Sequence, residues 1–219
     1  MASSIKSMVQ RSVRPIHHRF RSGKSELFLK LLGAEKFQRV LDVGGGTGMN
    51  GEFAPLYGKF ESVTIANLNP PDEDMARSPN LRIIKANGCL LPFADKTFDW
   101  VFSNAVIEHV GGWKDQQNFA SEIRRVASKG YFITTPNRYF PIEPHALLPF
   151  YQFYPEWMKS RALHFSAGYM NEVEFINLLT KSEMQCLFPE AHVRRVNLAS
   201  SIIAFQSYPG YASAPASYS

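Results

Sequence analysis

Short apolar runs separated by polar turns recur through this chain. Val40, Leu41 and Val43 form the first, and runs at 62–66, 81–85, 98–103 and 131–135 follow it. Each is brief and β-rich, which predicts strands. Around them the apolar spacing lengthens to that of a helix. Leu27, Phe28 and Leu31 share one face of a helix expected over 25–32 and stopped by Gly33, and Phe119, Ile123 and Val126 share another. A further helix is expected to begin near Met49 and run through Phe53 to Tyr57, closed by Gly58. Thr180 and Glu183 form a capping box that opens a short helix to about Phe188. The runs 192–196 and 201–206 predict two closing strands, joined tightly enough to pair antiparallel.

Strands alternating with helices predict an α/β fold, a doubly wound and mostly parallel sheet of seven strands with an antiparallel closing strand. Ligands of such sheets bind beyond the carboxyl ends of the strands. The polar clusters fall at those ends: the glycines from Gly44 to Gly48, then Asn67, Asn87 and Asn104. After Pro136 the character changes to Tyr, Phe, Pro and Trp, which predicts a lid over about 139–170 following the fifth strand. The expected organisation is a basic helical arm over 1–24, one domain over 25–207 containing the lid, and a disordered tail over 208–219.

Composition narrows the class. At 219 residues and 45% hydrophobic content, the chain suits one domain with a real core. No apolar run has the length of a membrane span. Cys89 and Cys186 are too few for a disulfide framework, so a reducing, cytoplasmic setting is expected. The formal charge of +5 is uneven. Lys6, Arg11, Arg14, Arg19, Arg21 and Lys24 precede any acid. That arm suits transient contact with an anionic membrane, and its Arg- and Ser-rich look also fits an organelle-targeting segment.

The turn after the first strand carries glycine at 44, 45, 46 and 48, and a helix start behind it turns N–H groups toward a ligand. A P-loop is excluded because no lysine follows Gly48. The dinucleotide fingerprint fails on glycine spacing, and the residue about twenty positions on is Asn67, not an acid. S-adenosylmethionine is the third reading. Val40-Leu41-Asp42-Val43-Gly44-Gly45-Gly46-Thr47-Gly48 resembles the first motif of class I S-adenosylmethionine-dependent methyltransferases. The segments 91–101, leading into the fourth strand, and 103–110, leaving it, are similar to theirs as well. Glu122-Ile123-Arg124-Arg125-Val126 and Thr134-Thr135-Pro136-Asn137 continue the likeness, in the pattern of the methyltransferase type 11 group, over roughly 38–190.

This resemblance implies a Rossmann-like fold and S-adenosyl-L-methionine as cofactor. Asp42 and the loop at Gly44, Gly45, Gly46 and Gly48 would hold the methionine end. Asn67 falls where the family usually has an acid on the ribose, with Leu68 beside the adenine. Asn87, next to Gly88 and Cys89, falls where an aspartate usually meets the adenine amino group. Asn104 and Ala105 would line the floor under the sulfonium. Asn67 and Asn87 depart from the family's acids, and each keeps an amide oxygen able to accept a hydrogen bond.

His145, with Glu143 second, is the candidate base or acceptor-orienting group, just past the fifth strand. His109 after Glu108 is expected to make a structural hydrogen bond. No run of His, Asp or Cys has metal-ligand spacing in sequence, so no metal is expected. The chain has neither the Asp/Asn-Pro-Pro-aromatic signature of amino-directed nucleic-acid enzymes after the fourth strand nor a cysteine where cytosine-5 enzymes need one. Nucleic acid is therefore not the expected partner. The expected acceptor is a small, partly apolar metabolite or lipid-like molecule under the aromatic lid. Two rivals are a non-methylating biosynthetic step, such as a cyclisation or elimination, and a non-catalytic cofactor-binding subunit.

Overall fold

The structure is a computed structural model describing residues 24–32, 38–45, 54–70, 79–166, 168, 170 and 172–208. Gly46, Gly48, the helix start expected near Met49 and nearly all of the basic arm lie outside these residues. In chain order come α1 (Lys24–Leu32), β1 (Arg39–Val43), a 3-10 segment (Ala54–Lys59), β2 (Ser62–Asn67), β3 (Leu81–Lys85), β4 (Phe98–Asn104), α2 (Trp113–Val126) and β5 (Ala127–Pro136). A two-stranded hairpin of β6 (Ile142–Glu143) and β7 (Leu148–Pro149) follows, then α3 (Glu156–Leu163), α4 (Lys181–Leu187), β8 (His192–Val196) and β9 (Ser201–Ser207).

Seven strands form one sheet in the order β3-β2-β1-β4-β5-β9-β8. The first five are parallel, and β9 runs antiparallel to both β5 and β8. Neighbouring residues of the central strands feed opposite faces, as a period of two requires. Val40, Trp100, Phe102 and Phe132 pack on one face with Phe28 and Leu32 of α1. Leu41, Val43, Val101, Tyr131 and Ile133 pack on the other with Phe119 and Ile123 of α2 and Met184 and Leu187 of α4. Phe28 has no exposed surface and sits with its ring centroid 5.3 Å from those of Phe102 and Phe132. Burying such a side chain is worth about 1.5–3 kcal/mol.

The expected boundaries need modest correction. The segment 54–59 is a 3-10 turn, not an α-helix, and β5 begins four residues early, at Ala127. Thr180 and Glu183 cap α4 reciprocally, at 3.2 and 2.7 Å. The lid is not free of sheet: β6 and β7 pair within it, and Ala146, Tyr151, Leu163 and Met170 form a small core of their own. Tyr208, assigned above to the disordered tail, packs against the sheet, with Lys96 Nζ 4.5 Å from its ring centroid. No helix among the described residues is long and apolar enough to cross a membrane.

Candidate active site

Four strands of the parallel sheet end in polar residues along one edge. At the end of β1, Gly44 has φ +79, and its N–H donates to the Ala66 carbonyl at 2.7 Å. A Cβ at Gly44 would run into the Val106 side chain, so conformation and space both require glycine there. A Cβ on Gly45 would meet the Asp42 carboxylate, so the loop backbone lies directly on that group.

Asp42 is buried and accepts the Tyr57 hydroxyl. Burial pushes its carboxyl up to about 7, against the opposing effect of the Tyr57 hydrogen bond. Burial first, and then the charge of Asp42, push the Tyr57 hydroxyl well above the ordinary tyrosine value.

Asn67, at the end of β2, donates from Nδ2 to the Gly45 carbonyl at 2.8 Å and accepts Asn69 N–H on Oδ1 at 3.0 Å. An aspartate at this position has no proton to give Gly45. The amide therefore ties the β2 end to the glycine turn, a role the sequence reading did not give it. Leu68 beside it is exposed.

Asn87, past β3, is exposed and accepts Cys89 N–H on Oδ1 at 2.9 Å. Gly88 lets this turn pack on α2, since a Cβ there would lie 2.7 Å from the Phe119 ring. Cys89 is half-buried and its thiol donates to the Asp115 carbonyl at 3.3 Å. Burial and then Asp115 raise that thiol's pKa.

Asn104 ends β4. Its Oδ1 accepts Thr134 Oγ1 at 2.6 Å and Lys24 Nζ at 3.3 Å. Ala105 follows at φ +57 with its N–H on the Thr134 carbonyl at 3.0 Å. A non-glycine residue in this region carries about 1–2 kcal/mol of local strain, and such strain collects at functional sites.

Beyond Ala105 the chain delivers a second cluster. Glu108 is fully buried, and its Oε2 accepts the Thr135 hydroxyl at 2.9 Å. His145 comes from the lid and is buried, which excludes the surface histidine that a lid position allows. Its Nδ1–H donates to Glu143 Oε1 at 2.5 Å. Glu143 Oε2 accepts the backbone N–H groups of His145 and Ala146, at 2.9 and 2.6 Å, so Glu143 is fixed as an acceptor. That bond assigns the His145 proton to Nδ1 and makes Nε2 the ring's acceptor nitrogen. His109 Nε2 lies 3.1 Å from it. Glu108 Oε1 lies 4.0 Å from the Nε2 of each histidine. Burial raises the Glu108 pKa, with His145 and Thr135 among the groups opposing it, while burial and then His145 lower that of His109.

Among the candidate residues that are described, the structure brings Asp42, Gly44, Gly45 and Asn67 together, and it joins His145 to Glu143. It also places ligand atoms of Glu108, His109 and His145 within 4.8 Å of one another, a spacing in space that the sequence does not carry. Residues 36 apart carry no periodic signal for such a meeting. Lys24, Tyr57 and Glu108 were missed as site groups. Signals for them existed only in part, as Glu108 stands beside a noted histidine and Lys24 ends the basic arm.

The lid holds a cavity of about 580 Å³ lined by Glu143, Tyr151, Phe153, Met170, Phe175 and Asn177 among others. Of the aromatic lid residues, Tyr151 is buried, while Phe150, Phe153 and Trp157 are exposed.

Residues 41–134 match the family model of the methyltransferase domain. A ubiquinone/menaquinone biosynthesis C-methyltransferase of Haemophilus ducreyi is 31% identical over 107 residues, 45% of this chain and 40% of that protein. Its namesake in Psychromonas ingrahamii is 30% identical over 132 residues, 56% of this chain and 51% of that protein. The chain thus spans about half the length, or less, of these curated relatives. The N-methyltransferase NodS of Bradyrhizobium japonicum, solved with S-adenosyl-L-homocysteine, superposes with a TM-score of 0.58 at 8% identity, covering 86% of this chain and 87% of that one. At that identity the likeness is one of fold.

Proposed function

We infer that this chain, a class I methyltransferase-family protein of the type 11 group, binds S-adenosylmethionine and transfers its methyl group to a small, partly apolar acceptor. The observation that carries this reading is the pairing of two features on one sheet edge. One is a glycine turn backed by Asp42 and latched by Asn67. The other is a buried His145–Glu143 pair in which Glu143 holds Nδ1 and Nε2 is the acceptor nitrogen, 3.1 Å from His109 Nε2.

The residues present fit the cofactor. The turn at Gly44 and Gly45 offers bare backbone where side chains would collide with Val106 and Asp42. Asn104 and Ala105 form the floor beside it. Bound there, the cofactor supplies an electrophilic methyl carbon whose bond to sulfur breaks with the electron pair leaving on a neutral thioether. The lone pair of the acceptor forms the new bond, and the acceptor's proton needs somewhere to go. His145 Nε2 accepts it, and Glu143 on Nδ1 holds the ring in the required tautomer and stabilises the imidazolium. Alignment of the reacting groups contributes the larger part, up to about 7–11 kcal/mol.

The lid cavity and the exposed Phe153 and Phe175 support an acceptor with an apolar body. A relative named for ubiquinone and menaquinone biosynthesis supports the same class. Calorimetry with S-adenosylmethionine is expected to give a micromolar constant. Incubation with phenolic and lipid-like acceptors is expected to release S-adenosylhomocysteine. Absence of cofactor binding by the folded chain would defeat the reading.

A further inference from the structure

We propose that Glu108, His109 and His145 hold a divalent transition-metal ion of the zinc class, which offers an open position to an oxygen of the acceptor. The argument is geometric. The two Nε2 atoms are 3.1 Å apart and Glu108 Oε1 is 4.0 Å from each. A point equidistant from the three lies about 2.2 Å from each, against about 2.0–2.1 Å for Zn–N and 2.0–2.2 Å for Zn–O.

Glu108 Oε1 is buried and makes no hydrogen bond, although its sister oxygen is held by Thr135. A carboxylate oxygen taken out of water without a partner is unfavourable unless a cation meets it or the group takes up a proton. Of the two, only a cation also engages both histidine nitrogens. A hydrogen bond between the two histidines would account for their 3.1 Å separation. It would leave Glu108 Oε1 unpartnered, whereas an ion satisfies all three atoms.

The surroundings agree. Glu143 fixes His145 through Nδ1 and directs Nε2 inward, the carboxylate–histidine arrangement found behind metal-bound imidazoles. His109 remains 35% exposed at its side chain, which gives the ion a way in. Two imidazoles and one carboxylate favour zinc, manganese, iron or cobalt over magnesium and calcium. Three protein ligands leave at least one position for an oxygen. Glu108 and His109 follow β4 while His145 belongs to the lid, so the ion would also tie the lid to the sheet edge.

The open position's role rests on the methyl-transfer reading. A hydroxyl bound to the ion loses its proton more readily, to water that reaches the site past the partly exposed His109. With the ion bound, His145 is a ligand, and this step replaces the one in which it acts as base. The ion site itself does not depend on that reading.

The test strips the full chain with a chelator and titrates it with Co(II), following the visible d–d bands, with Zn(II) as competitor. Calorimetry with S-adenosylmethionine is run with and without metal. One equivalent of Co(II) is expected to bind, displaced by Zn(II), with affinity falling at least about ten-fold in His109→Gln and in Glu108→Gln. His109→Gln guards against a folding failure, because its side chain is partly exposed. A folded wild-type chain that develops no visible band, or an unchanged titration in folded His109→Gln, overturns the site. Cofactor binding without metal uptake removes the ion and leaves methyl transfer standing. Metal uptake without cofactor binding does the reverse.

Discussion

At the ends of β1 and β2, the site is built mainly of backbone. Gly44 N–H meets the Ala66 carbonyl, and the Gly45 carbonyl takes the Asn67 amide. At the ends of β4 and β5, it is built of side chains. Glu108 and His109 meet His145 across 36 positions of sequence, and Thr135 steadies Glu108. The first region presents polar backbone that almost any anionic or polar ligand end can use. The second gathers two imidazoles and two carboxylates, three of the four groups buried and His109 partly exposed, an arrangement suited to proton transfer or to a cation. On the methyl-transfer reading, one region binds and the other reacts, so they should fail differently when broken.

The sharpest separation comes from His145→Ala. Loss of a positioned base, or of a metal ligand, is expected to lower kcat by about 10²–10⁴-fold. S-adenosylmethionine affinity, measured by calorimetry, should stay within about two-fold, because His145 lies outside the glycine turn. A parallel loss of cofactor binding would mean that the two regions are not separate.

The glycine-turn region carries its own signature in pH. Asp42 titrates at about 7 in the fold and at 3.8 when unfolded, because burial disfavours its charge. Between pH 4 and 7 the folded chain therefore holds a proton that the unfolded chain has lost. Stability from this group is complete below pH 4, falls as pH rises and levels off above 7. The expected amplitude is on the order of 4 kcal/mol. Denaturant melts of wild type and Asp42→Asn across that range should differ by this slope, and parallel curves would refute it.

Gly44→Ala tests the conformation of the turn. Positive φ and the collision with Val106 together predict about 2–3 kcal/mol of destabilisation and weaker cofactor binding, with the Co(II) titration unaffected. Thermal melts and calorimetry on the same sample check both parts.

These regions were unequally legible in the sequence. Glycine marks a backbone-built site in the residues themselves, so Gly44, Asp42 and Asn67 could be named from one short stretch and the strand that follows. The limits of β1 and β3 were readable for the same local reason, since alternate residues such as Val40 and Leu41 serve opposite faces of a covered sheet, whereas β5 runs four residues further back than its apolar run. The His109–His145 meeting has no local cause. It depends on how β6 and β7 fold the lid back, and two-residue strands leave no periodic trace. Glu108 was passed over because a single acid before a histidine looks like any exposed turn until burial is known.

Asn67→Asp is the smallest change and bears directly on the acid that the methyltransferase resemblance implies at this position. If the acid were simply the stronger grip on a ribose, restoring it should tighten cofactor binding several-fold. The structure argues the other way. Asn67 Nδ2 is the donor to the Gly45 carbonyl, and a carboxylate there would face that oxygen with like charge. Losing one such hydrogen bond is expected to destabilise the turn by about 1 kcal/mol. Cofactor affinity should then fall or stay level, not rise, because the ligand would first have to order the turn. A clear gain in affinity for Asn67→Asp, with unchanged melting, would show that the latch is incidental. It would make the asparagine a weakened copy of the acid instead of a different way of holding the same loop.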